Sequence, residues 1–354
     1  MHVVVIADSR YPLAQPFAGG MQLMTWHLVR GLRARGVRVS LFAAPGTDPV
    51  LRAETLPVRR VDLSPAARND ISMPPAEWME QHQAYLRLML ELAGRRDVDV
   101  VHNNSLHHLP VAMAEALSAP VVTTLHTPPT PWLEPAVDLA GTAGNHYAAV
   151  SRYTARQWGH VCDAGVVPNG VDLSGWPEGP GGDDLVWSGR IVPEKGAHHA
   201  IEIARLAGRR IRLAGPISDP DYWATSVRPL LGDDAEYVGH LRQAALAALV
   251  GSSAVSLVTP MWDEPYGLVV AEALSCGTPV VGYARGGVPE VADATCSRLV
   301  PPGDVTAAAA AVAEAADLDR GAARERARRQ CSVDAMVDRY LALYHQVVGP
   351  QLVA

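Results

Sequence analysis

Lysine is nearly absent from this chain. Of 30 Lys and Arg residues, only Lys195 is a lysine. A solitary lysine is either chance or a place where a compact ammonium does what a planar guanidinium does not. Cysteine is also scarce. Cys162, Cys276, Cys296 and Cys331 are scattered with no CxxC pair. Reduced structural thiols in a cytoplasmic protein are the expected default. No apolar run reaches the roughly 18 residues of a membrane span. The N-terminus has no basic lead-in, and MHVVVIADSRYP meets Asp8 after a short apolar run. It reads as a first strand and not as a signal peptide. There is no 20–50-residue repeat and no low-complexity tail. The net charge of −7 argues against a nucleic-acid partner. Residues 1–165 carry 14 basic and 14 acidic side chains, whereas 166–354 carry 16 and 23. The first half is therefore the one better suited to an anionic partner. Arg30, Arg33, Arg35 and Arg38 cluster near one helix end without making a clear basic amphipathic face, so membrane docking stays open and unsupported.

The 354 residues are 48% hydrophobic and 19% charged, enough for two sizeable cores. Short β-branched runs alternate with longer helical patterns, the mark of βα units around parallel sheets. In the first half, strands are expected at Val3–Ile6, Val37–Phe42, Val98–His102, Val121–Leu125 and Tyr147–Val150. Helices are expected at Met21–Arg35, Trp78–Leu92, Leu109–Leu117 and Arg152–Trp158. In the second half, strands fit Leu185–Ser188, Ile211–Leu213, Glu236–Val238, Val255–Val258 and Pro279–Val281. Helices fit His198–Ala207, Gln243–Val250, Leu268–Ser275, Val305–Ala316 and Val333–Val348. The punctuation Pro168-Asn169-Gly170 and the Gly/Pro-rich stretch Pro177–Gly182 place the linker there. The expected domains are 1–167 and 168–330, with a terminal helical segment at 331–354 that can pack back on the first.

Ligands of open parallel sheets sit at the carboxyl ends of the strands, so chemistry is sought just after each one. Trp187-Ser188-Gly189-Arg190 runs on to Glu194-Lys195-Gly196 before the next helix. Two cations and a helix N-terminus can converge there on a phosphate; the plain alternative is surface charge on a loop. After Val255–Val258 comes Glu264-Pro265-Tyr266-Gly267-Leu268, with Glu272 inside the following helix. The free amides of Gly267 and Leu268 suit a second phosphate oxygen. The two carboxylates suit diols, a sugar for one and a ribose for the other. Taken singly, Glu264 is a charge favoured by the helix dipole and Glu272 a helix-surface carboxylate.

The ordered set SGR…EKG, EPYGLVVAE, GTPVV and GGVPE resembles glycosyltransferase family 4, whose members are retaining enzymes. The resemblance covers essentially the whole chain and is strongest over 165–305. It implies an α/β GT-B fold, two Rossmann-like domains facing each other across a cleft, with the acceptor on the first and the nucleotide-sugar donor on the second. By resemblance, Arg190 and Lys195 hold the donor diphosphate, Glu264 contacts the donor sugar and Glu272 the ribose. Val238-Gly239-His240-Leu241 matches the segment that meets the base. Gly189, Tyr266, Gly267 and Leu268 complete the donor set. In the first half, Gly19-Gly20 matches a glycine pair that approaches phosphate or sugar, and His126 the histidine on the transferred sugar. Without the resemblance, these two read as a flexible loop and a packed loop histidine. Asn103, Asn104 and Ser105 follow a strand and can line an acceptor pocket.

The resemblance implies transfer of a hexosyl unit from a nucleoside-diphosphate sugar, UDP favoured over GDP, to an acceptor hydroxyl with retention. No nucleophile is evident beside the site, which favours front-face displacement over a paired-carboxylate mechanism. No cofactor and no essential divalent ion are expected. His107-His108 and His198-His199 lack partners at ligand spacing, and Asp97-Val98-Asp99 precedes its strand, at the wrong end of a sheet for a diphosphate-bound metal. Two alternatives stand beside this reading. A GT-B epimerase would isomerise the donor without an acceptor, and a non-catalytic sugar-binding protein would ignore free nucleotide. A phosphorylase is disfavoured, because the only lysine lies in the phosphate-like loop.

Overall fold

A computed structural model describes residues 1–349 except 57, 60, 61, 71 and 73; residues 350–354 of the expected terminal segment lie outside the described residues. The chain divides into two compact units. One holds Met1–Ala149, Ala155–Val166 and the chain from Val337; the other holds Val150–Thr154 and Val167–Met336.

The first unit carries a seven-stranded sheet. Its strands are β1 (His2–Ile6), β2 (Arg38–Ala43), β3 (Glu54–Thr55), β4 (Val100–Asn103), β5 (Val121–Leu125), β6 (Asn145–Ala149) and β7 (Ala164–Val166). They run in the order β3-β2-β1-β4-β5-β6-β7, with every pairing parallel. Parallel sheets covered on both faces need apolar side chains on both faces, and β1 and β5 are buried along their whole length. The chain moves outward from β1 to β3, then crosses back to place β4 on the other side of β1. That reversal opens a crevice at the carboxyl ends of β1 and β4.

The second unit repeats the plan with six parallel strands: β8 (Leu185–Ser188), β9 (Ile211–Ala214), β10 (Ala235–Gly239), β11 (Val255–Val258), β12 (Val280–Tyr283) and β13 (Ser297–Val300). Their order is β10-β9-β8-β11-β12-β13, so the reversal falls between β8 and β11. Two apolar layers cover the sheet, one including Val186, Val270, Leu274 and Val280 and the other Trp187, Ile201, Leu257 and Val312.

The ten expected strands are present, three with the expected bounds and the others with ends moved by one or two residues. Three short strands, β3, β7 and β13, were not expected. Two or three residues at a sheet edge carry no readable period, and Ser297-Arg298-Leu299-Val300 interrupts its alternation with a charge. The helix expected over Leu109–Leu117 breaks after Ala112 into a 3₁₀ turn at Ala114–Ala116. The stretch Pro177–Gly182 is not a linker. Gly179 N donates to Cys276 O at 3.1 Å and Gly181 N to Gly251 O at 2.9 Å, inside the second unit. Helix Arg320–Gln330 has no apolar stripe beyond alanines and was missed for that reason. Its inward arginines bond carbonyls instead, Arg320 reaching Gly251 O at 2.9 Å and Ser253 O at 3.1 Å.

From Val337 the last helix packs within the first unit. Tyr340 and Tyr344 are fully buried. The Tyr340 hydroxyl meets Thr124 Oγ1 at 2.9 Å, and His102 bridges Tyr344 and Thr124. Burial pushes the His102 imidazole down to about 3, so it holds its place as a neutral ring.

Candidate active site

Arg190 follows β8 and Lys195 closes a 3₁₀ turn, Pro193–Lys195, ahead of helix Ala197–Leu206. Gly196 sits between them and the helix at φ 65°, and a Cβ there would lie 2.2 Å from Thr259 O. Only glycine lets the lysine loop lie this close to the end of β11. Lys195 Nζ pairs with Glu264 Oε2, and both side chains are largely buried. The ammonium also lies 5.0 Å from the Trp262 ring centroid, a cation–π contact. Trp262 Nε1 donates to the same Glu264 oxygen at 3.1 Å. Arg190 is more exposed and pairs with Glu194 Oε1 at 3.5 Å. Gly189 precedes it, with its N–H on Ala214 O at 3.0 Å.

The loop after β12 braces Glu264. Gly287 N donates to Glu264 O at 2.7 Å. Gly286 has φ 64°, and a Cβ on it would fall 2.2 Å from Glu264 O. The GGVPE segment thus fixes the backbone from which the Glu264 carboxylate projects. Its glutamate, Glu290, accepts from the amides of Arg152 at 2.9 Å and Tyr153 at 2.7 Å. Asp263, next to Glu264, accepts from Tyr153 OH at 2.6 Å and Arg285 Nε at 2.9 Å. These bonds hold its carboxyl below the usual range. None of this bracing was expected, because it joins residues over 20 to 140 positions apart with no shared pattern.

Gly267 is the N-cap of helix Leu268–Ser275, so the amides of Gly267 and Leu268 stand at an uncapped helix start. Tyr266, expected among the donor-binding residues, has its ring buried in the apolar layer with Val270 and Val288. Glu272 lies one turn into the helix and is only 9% exposed. It is not a helix-surface carboxylate. Burial pushes its carboxyl up to about 8, which favours the neutral form. After β10, His240 is exposed, while Leu241 leans on the core.

In the first unit, Gly20 opens helix Gly20–Ala34 with Gly19 as its N-cap. His126 follows β5 and is buried; its Nε2 lies 3.0 Å from Asn104 Oδ1. Burial alone pushes this imidazole down to about 3. Asn103 belongs to β4, and its amide is spent on Thr123, Ser105 N and Ser105 Oγ. Of the three residues read as an acceptor lining, Asn104 is the one with a free end. The Asp97-Val98-Asp99 segment stands before β4, with Asp97 paired to Arg95 and Asp99 accepting from His2 N. Among the described residues, no three His, Cys, Asp or Glu side chains are grouped to hold a metal ion, and no helix is long and apolar enough to cross a membrane.

The site residues stand on a chain with known relatives. The model described as Glycosyltransferase Family 4 matches residues 18–174, and that described as Glycosyl transferases group 1 matches 176–331. A D-inositol 3-phosphate glycosyltransferase of Frankia alni is 30% identical, over 82% of this chain and 84% of that protein. A glycogen synthase of Mycobacterium tuberculosis is also 30% identical, over 68% of this chain; the match spans only 65% of that protein's length. Among solved structures, Anabaena HepE in complex with UDP-glucose superposes with a TM-score of 0.73 at 17% identity, covering 98% of this chain and all of that one. That likeness speaks for the GT-B fold. The two model matches and the Frankia alni relative show that this chain belongs to glycosyltransferase family 4.

Proposed function

We propose that the protein transfers a hexosyl unit from a nucleoside-diphosphate sugar to an acceptor hydroxyl with retention, and that UDP carries the sugar. The observation that carries this reading is the Lys195–Glu264 pair under Trp262, at the head of the helix that buries Glu272. On this reading the diphosphate takes over the Lys195 ammonium and draws on Arg190 and the amides of Gly267 and Leu268. Glu264, released from the lysine, accepts from the donor sugar's hydroxyls, and Glu272 accepts from the ribose. His240 and Leu241 border the base. On the first unit, His126 meets the transferred sugar as a neutral ring, and Gly20 admits backbone close to the donor. HepE, with the same fold, was solved with UDP-glucose, which supports the choice of UDP.

The bond from the anomeric carbon to the leaving diphosphate breaks while the acceptor oxygen bonds to the same face. The acceptor's proton passes to a diphosphate oxygen. Charge builds on the diphosphate in the transition state, where the two cations and the helix amides stabilise it. No divalent ion is required. Among the described residues no two cysteines form a disulfide, which fits work in a reducing cytoplasm.

Lys195→Ala and Glu264→Ala should each lower turnover by about 10² or more, as loss of a preorganised charge partner does, with the fold intact by circular dichroism. Near wild-type rates would sink the reading. Lys195→Arg is sharper, since full retention would make the lone lysine incidental. UDP should raise the melting temperature more than GDP, and product NMR should show the donor's anomeric configuration. Donor sugar isomerised without acceptor would mark an epimerase instead.

A further inference from the structure

Three strand ends in the first unit carry polar groups that no described residue satisfies. Asp8 stands two residues past β1, Asn104 directly after β4, and His126-Thr127 after β5. These strands are neighbours, and Asn104 N bonds Ile6 O at 2.8 Å, so the three ends lie side by side. Asp8 is 6% exposed and Asn104 is fully buried. Asp8 Oδ1 accepts from Arg10 N at 3.2 Å and Arg10 Nε at 3.4 Å, but Asp8 Oδ2 has no partner. Asn104 spends one end of its amide on His126, and the other end is free. Thr127 Oγ1 is buried and free as well. Native proteins leave few such groups unmatched, and those they leave call for an explanation.

The turn that presents Asp8 is rigid. The Tyr85 hydroxyl accepts from Ser9 N at 3.1 Å and donates to Ala7 O at 3.3 Å. The Tyr85 ring stacks on His107 with centroids 4.1 Å apart. Asp8 is thus held from both flanks by backbone bonds, as a binding group must be to act with precision.

We infer that Asp8, Asn104 and Thr127 form a subsite for an uncharged polyol, a saccharide or cyclitol, which is the acceptor of the transfer; this rests on the transferase reading. The free groups are an acceptor-only carboxylate oxygen, one amide end and one hydroxyl. A sugar hydroxyl both donates and accepts, so a ring of them serves all three. A phosphate or carboxylate offers Asp8 no donor and sets like charge against it. An apolar or aryl acceptor leaves every group unmatched. Adjacent strands are about 4.8 Å apart, so three strand ends span roughly 10 Å, about one pyranose or cyclitol ring with its hydroxyls.

The test is saturation-transfer NMR on the full chain, with and without UDP. Glucose, myo-inositol, glucose 6-phosphate and myo-inositol 1-phosphate are titrated separately. At least one neutral polyol should bind, more tightly than its phosphate ester. Asp8→Asn should weaken it about tenfold or more, as loss of a charged acceptor does; Thr127→Val should weaken it several-fold; UDP affinity should stay within about twofold in both variants. The arms separate saccharide from cyclitol. The inference is overturned if UDP binds but neither neutral polyol does, if the phosphate esters bind better, or if both variants hold polyol as wild type does. The wild-type arms decide this even where a variant fails to fold. Polyol binding without any UDP binding would count against the donor reading and leave this subsite standing.

Discussion

Glu272 offers the most exacting test of the proposed donor site, because its burial carries a cost of known sign. Its carboxyl is raised from 4.5 to about 8 by desolvation alone. At about 1.4 kcal/mol per pH unit, that is roughly 5 kcal/mol of discrimination against the charged form. Between pH 4.5 and 8 the folded chain keeps this proton while the unfolded chain has lost it. Stability from this group is therefore fully present below about pH 4.5, falls as pH rises through that window, and changes no further above 8. Glu272→Gln keeps the shape and removes the ionisation. For a unit of 150–250 residues, 1 kcal/mol moves the melting temperature by about 2–4 °C. The variant should then melt on the order of 10 °C above wild type at pH 9, and within a few degrees of it at pH 5. Scanning fluorimetry on both proteins at both pH values reads this directly. An equal gap at the two pH values, or a wider one at pH 5, would refute the reasoning. The same carboxylate has a second signature if it holds a ribose. Diol hydroxyls donate to the charged form and lower its pKa, so UDP should bind more tightly at pH 8 than at pH 6 and release a proton on binding at pH 7. Calorimetry in two buffers of different ionisation enthalpy measures that proton, and Glu272→Gln should abolish it.

Two further outcomes are expected. Gly286→Ala places a methyl 2.2 Å from Glu264 O at a left-handed backbone position that costs an alanine about 1–2 kcal/mol before the clash is counted. It should lower stability by about 2 kcal/mol or more in urea titrations and reduce turnover although residue 286 carries no chemistry, and a fully active Gly286→Ala would show that this loop does not set Glu264. Tyr340→Phe removes the buried bond to Thr124, which keeps its bond to His102. The loss should be about 1 kcal/mol, read as a lowered melting temperature with UDP affinity unchanged.

The legible part of the molecule was local. Strands such as Val121–Leu125 and Leu185–Ser188 announced themselves as short β-branched or apolar runs, and the candidate residues after them were found by the rule that ligands sit at strand ends. Arg190, Lys195, Glu264 and Glu272 all stood within one loop or one helix turn of such an end. The illegible part was whatever depended on a distant partner. Nothing in Gly286-Gly287 says that it presses on the backbone of Glu264, and nothing in Glu290 says that it receives the amides of Arg152 and Tyr153. Helix Arg320–Gln330 hid because its inward contacts are guanidinium-to-carbonyl bonds, and these leave no hydrophobic period. Asp8 and Thr127 carried one usable signal, a polar residue two positions past a buried strand, but only burial without a partner separates such a residue from an ordinary turn.

The lone lysine can now be argued from its surroundings. Lys195 must serve two neighbours at once, the Trp262 face and the Glu264 carboxylate, from a loop that Gly196 pins within contact of Thr259 O. An ammonium has no plane, so it can rest above the indole and still turn its three donors to a carboxylate or to an arriving phosphate. A guanidinium that stacked on the indole would fix its fork in the ring plane, and one that gripped Glu264 with both nitrogens would bind it too well to release it. Arg320 and Arg324, by contrast, hold main-chain carbonyls. If the donor diphosphate takes over the ammonium as proposed, this position changes partner, and there a point charge on a flexible stem has the advantage; Lys195→Arg, which keeps the charge and loses the freedom, should then impair turnover more than it impairs UDP binding.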